Sequence, residues 1–128
     1  KFFTGSAYTA AWYIGWVNGT SASTTFSGGD TLATHAGWTE NSSYAGNRKA
    51  ASFSAATLAD PSNINNSASA ASFTMSANAT IAGAFLANVA TGTSGLLFSA
   101  ADFQSPGDRT VVSGDVLNIT YSFNLDAV

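Results

Sequence analysis

Apolar and polar residues alternate over short stretches of this chain, and no long stretch repeats at the helical spacing. The clearest alternation is Val116–Leu125, VLNITYSFNL. Leu117, Ile119, Tyr121, Phe123 and Leu125 point one way, and Asn118, Thr120, Ser122 and Asn124 the other. That is the pattern of one continuous strand with one face on a core. Gly114-Asp115 supplies a tight turn before it, after a short strand at Val111 and Val112. In AWYIGWV, Trp12, Ile14 and Trp16 share one face while Tyr13 and Val17 lie opposite, so a central strand covered on both sides is expected. AASFTMS and ATIAGAFLANVA read as a hairpin around Asn78. In it Ala71, Phe73 and Met75 share one face, and so do Ile81, Gly83, Phe85 and Ala87. Gly83 inside a strand marks close approach of another backbone or a large ring. GLLFSAADF follows the TGTSG turn, and RKAASFSA is a further strand carrying Ser52 and Phe53. The stretches 18–30 and 55–69, rich in small polar residues, read as exposed loops.

Together these segments predict an all-β fold, an antiparallel β-sandwich of jelly-roll or immunoglobulin-like type with about seven to nine short strands. The 128 residues fit one domain over 1–128. Ala, Ser, Thr and Gly make up more than half the chain. With so many small side chains, the few large rings must fill the core volume. The expected core is Trp12, Ile14, Trp16, Phe73, Phe85, Leu117, Ile119, Tyr121 and Phe123.

Charge narrows the function. Only 9% of residues are charged and the net charge is −3. Arg48 and Lys49 are the only adjacent cations and read as a solvated pair, with a contact to an acidic partner as the alternative, so a nucleic-acid partner is not expected. No apolar run approaches the ~20 residues of a membrane-spanning helix, so no membrane partner is expected either. There are no cysteines. The chain begins at Lys1, which suggests a processed start or the C-terminal part of a longer chain.

The candidate chemistry concentrates in DTLATHAGWTE, Asp30–Glu40, which holds the single histidine. Asp30 is placed to cap one or two helical turns over 31–36. Gly37 can end them in the left-handed region, His35 can satisfy a carbonyl, and Trp38 can pack back on the sheet. This reading makes Asp30, His35, Gly37 and Trp38 a structural turn. A Ser-His-Asp triad is formally possible, but no serine sits in a recognisable activated setting. Zinc would need a cluster of His and Cys. Asp102, Asp108 and Asp115 match no calcium loop, and no spacing selects a pair of glycosidase carboxylates. No catalytic residue, metal or cofactor is therefore expected. Trp12, Trp16 and Trp38 are alternatives for a sugar platform, and Phe26, in a loop, for a partner surface. Glycosylation sequons at Asn18, Asn41, Asn65, Asn78 and Asn118 are of the number that this composition supplies by chance.

Several blocks occur together in order: AWYIGWV, GGDTLATHAGWTE, YAGNRKA, NNSASAASFTMSANATIAGAFLA, GTSGLLFSAADF and VVSGDVLNITYSF. In this the chain, from Trp12 to Phe123, resembles a group of tailed-bacteriophage structural proteins. The resemblance implies a virion component, a decoration (cement) protein on the outer surface of the head. Its partners would be the major capsid protein and copies of itself, as a trimer. It transfers no catalytic residue and does not separate head from tail. A tail-fibre adhesin recognising cell-surface glycans and a subunit of an extracellular filament are the alternative roles, and a cell-wall hydrolase a further one.

Overall fold

The structure, a computed structural model, describes residues 11–19, 25–57, 60–104 and 106–126. Part of the expected 18–30 loop lies outside them. The fold is all-β and antiparallel, with several sheets, as the alternation predicts. Among the described residues there are ten strands rather than seven to nine: β1 Tyr13–Asn18, β2 Glu40–Asn41, β3 Lys49–Ala50, β4 Ser62–Asn65, β5 Ala71–Thr74, β6 Ala79–Ala87, β7 Leu97–Asp102, β8 Arg109–Val111, β9 Val116–Ile119 and β10 Ser122–Leu125. The largest sheet is built on β1 and β6. β2 and β3 pair the outer side of β1, while β7 and β8 pair β6. Two smaller ladders, β5–β9 and β4–β10, complete the set.

The central strand is covered on both faces, as its sequence requires. Ile14 and Trp16 bury against Phe73 and Met75 of the β5–β9 layer, with the Trp16 and Phe73 rings 4.7 Å apart. Val17 buries on the other side with Leu32, Trp38 and Phe85. Phe85 lies over Gly15, where a Cβ would overlap its ring. Gly83 approaches another backbone: a Cβ there would overlap the Ala101 carbonyl.

Several expectations are corrected. The segments around Asn78 form no hairpin, because β5 pairs β9 while β6 runs through the large sheet. Ile81 and Phe85 do not share a face. Val17 pairs Gly83 and Asn18 pairs Ile81, so Ala82 is an extra residue that shifts the alternation. Ile81 then joins the Trp16 side and Phe85 the Trp38 side. The last alternating run is two strands, since after Thr120 and Tyr121 the chain leaves β5 and pairs β4. The expected RKAASFSA strand is a ladder only at Lys49–Ala50. The expected 55–69 loop contains β4 and a short 3-10 turn at Ser67–Ser69. Among the described residues no helix is long and apolar enough to cross a membrane.

Candidate functional site

The turn singled out in the sequence contains no helix. Thr31, rather than Asp30, organises 31–34: its Oγ1 accepts the backbone N–H of Ala33 (3.2 Å) and Thr34 (3.0 Å), and its own N–H donates to the Thr34 carbonyl (2.9 Å). Such local bonds give the backbone an alternative to a helix. Asp30 caps the preceding turn, its Oδ2 accepting Ser27 N–H at 3.0 Å and the Trp38 indole N–H at 3.4 Å. Gly37 has φ +82°, in the left-handed region where glycine is favoured. His35 lies flat on Trp38, ring centroids 3.8 Å apart, with Nδ1 3.0 Å from the Trp38 carbonyl oxygen. Trp38 is 4% exposed and touches Phe85. These four residues form a lid on one face of the large sheet.

Arg48 corrects a second expectation. It is 6% exposed, not solvated. Its Nε and Nη2 donate to Glu40 at 2.9 and 2.7 Å, and Nη1 donates to the Val89 carbonyl at 3.1 Å. The guanidinium sits 5.1 Å from the Phe85 ring centroid. Tyr44 donates weakly to Glu40, and burial, reinforced by the Glu40 charge, pushes its phenol up to about 12. In this cluster the donors of Arg48 and Tyr44 are directed inward, at the Glu40 carboxylate and the Val89 carbonyl.

The expected core divides. Ile14, Trp16, Phe73 and Phe85 are buried, whereas Trp12, Leu117, Ile119 and Tyr121 are half-buried against that core. Phe123 is a correction: it is 44% exposed. The reason is the change of partner strand, which carries β10 to the rim. There Phe123 meets Phe98, ring centroids 6.1 Å apart. Phe98 is itself displaced by a bulge. Leu86 pairs Ser99 and Ala87 pairs Leu97, so Phe98 has no partner across β6 and stands 50% exposed. Its ring meets Trp12 edge-on at 5.3 Å.

Trp12, Phe53, Leu86, Phe98, Tyr121 and Phe123, with Ile64, line an apolar hollow of about 150 Å³. That size suits one apolar side chain. A second hollow of about 240 Å³ lies beside β7, lined by Phe26, Ser27, Asp30 and residues 97–100. A broader groove of about 490 Å³ runs between β8 and β9, over Trp16 and Phe103. Asp102, Asp108 and Asp115 do not assemble, and among the described residues no group of three or more metal-ligating side chains occurs. Asp115 instead closes the 112–115 turn, its Oδ2 accepting Val112 N–H at 2.9 Å.

Fold and site thus define an antiparallel all-β protein with an aromatic hollow at a bulged sheet rim. No family model, no characterised protein and no solved structure matches the chain.

Proposed function

We propose that this chain is a non-enzymatic virion structural protein, a decoration module that binds the outer surface of a tailed-phage head and stabilises it. The resemblance of its sequence blocks to such proteins supplies the setting. The observation that supports it best is the aromatic hollow at Phe98. Large rings half-exposed around an apolar depression are the features of an anchor point for a partner's side chain. The low charge lets the surrounding Ser, Thr and Asn surface meet a capsid subunit without burying ions. Each contact is small, and capsid symmetry repeats it. Electron microscopy of purified particles tests this reading. Stoichiometric density on the heads supports it; density confined to the tail overturns it.

A glycan-binding adhesin is the second reading, favoured by the hollow in which the Phe26 ring and the Asp30 carboxylate stand together. Binding on a glycan array that Asp30→Asn abolishes would select this role over decoration.

A further inference from the structure

We infer that β10 is a self-pairing edge, through which two copies of this chain join by antiparallel strand addition about a two-fold axis at Asn124. The direction of its outward hydrogen-bonding groups follows from β4. The carbonyls of Asn63 and Asn65 accept N–H groups from Thr57 and Ser54, at 3.0 and 2.8 Å, so they point away from β10. Ile64 and Ser62 therefore bond toward β10, meeting Phe123 and Leu125 in register. The backbone groups of Ser122 and Asn124 are left facing outward, and no described residue bonds to them. Every residue of β10 is exposed, including Leu125 at 65%. An uncharged edge with exposed apolar residues is a template for another strand.

A second copy fits this edge in one register. Centred on Asn124, antiparallel pairing sets Phe123 opposite the partner's Leu125 and Leu125 opposite the partner's Phe123. Both pairs lie on the same face as the aromatic hollow. The same register sets Asp126 opposite Ser122, so the two carboxylates do not face each other. The contact closes on itself and makes a pair rather than the trimer expected from the resemblance. It also sets two hollows on one face. It stands independently of the decoration role, because it is tested in solution without any capsid.

The absence of cysteine gives a direct test. In Asn124→Cys the two introduced thiols face each other across the axis, at a separation a disulfide spans. Under mild oxidation this variant should become a covalent pair, while Val112→Cys, at an exposed position off the edge, should remain single. Asn124→Pro removes an outward N–H and the side-chain amide that accepts from Asn63 Nδ2, but no backbone hydrogen bond to β4, so it should keep the β4–β10 ladder and halve the mass in analytical ultracentrifugation. The inference is overturned if the wild type sediments as a monomer up to millimolar concentration. It is equally overturned if Asn124→Cys crosslinks no more than Val112→Cys.

Discussion

Arg48 holds Glu40 by two parallel hydrogen bonds, 2.9 and 2.7 Å, from a guanidinium that is almost wholly enclosed. The pair closes the stretch from β2 to β3 on β1 and presses the guanidinium on Phe85. Removing Glu40 leaves a buried cation without its counter-charge. Breaking a buried pair from one side costs about 3–5 kcal/mol, and less where one partner is partly solvated, as Glu40 is. Glu40→Ala should therefore lower stability by about 2–3 kcal/mol in urea titration. An unchanged midpoint would show that the pair contributes nothing.

Tyr44 gives the same cluster a pH signature. Its phenol titrates at about 12 in the folded chain against 10.0 ordinarily, raised first by burial and then by the Glu40 charge. Between those values the unfolded chain has released a proton that the folded chain keeps. The folded-state value is the higher one, so this group's contribution is complete below pH 10 and is lost as the pH rises toward 12. Wild type should lose stability across that window relative to Tyr44→Phe. Parallel curves for the two proteins would refute the assignment.

Trp38 is the mass of the lid and His35 an accessory to it. Trp38→Ala should destabilise by about 3–5 kcal/mol, the range for emptying a buried ring site. His35→Ala forfeits one stacked ring and one hydrogen bond, and about 1 kcal/mol is expected. Thermal melts that rank the two in the reverse order would contradict this division of roles.

Gly83 and Gly28 form a matched test. A Cβ at Gly83 would overlap the Ala101 carbonyl, whereas a Cβ at Gly28 meets nothing within 4 Å. Gly83→Ala must separate β6 from β7, at a cost of about 3 kcal/mol or more. Gly28→Ala should be neutral.

Much of this architecture is legible in the sequence. The two-sided burial of β1 follows from aromatic and aliphatic residues on both of its faces, and the close approach at Gly83 from a lone glycine in an apolar run. The left-handed Gly37 and the buried Trp38 follow from the turn chemistry of residues 30–38. The bulges are not legible. One extra residue at Ala82 or Phe98 reverses every later side chain, and strict alternation carries no mark of it. For the same reason the exposed aromatic rim was hidden: Phe123 continues the alternation of Leu117 and Ile119 although its strand changes partners. Arg48 was obscured by its neighbour Lys49. The available signal was the scarcity of charge itself, since an acid and a base eight positions apart in so uncharged a chain are candidates for each other.

The proposed decoration role rests on the rim at Phe98 and Phe123. Its most direct test is cosedimentation of the purified protein with purified tailed-phage heads, comparing wild type with the Phe98→Ser, Phe123→Ser double variant. Both rings are about half exposed, so the variant should stay folded. The expected result is saturable, stoichiometric binding by the wild type and its loss in the folded variant. Equal binding by the two proteins, or wild type that leaves the heads bare and joins only the tail, would contradict the proposal.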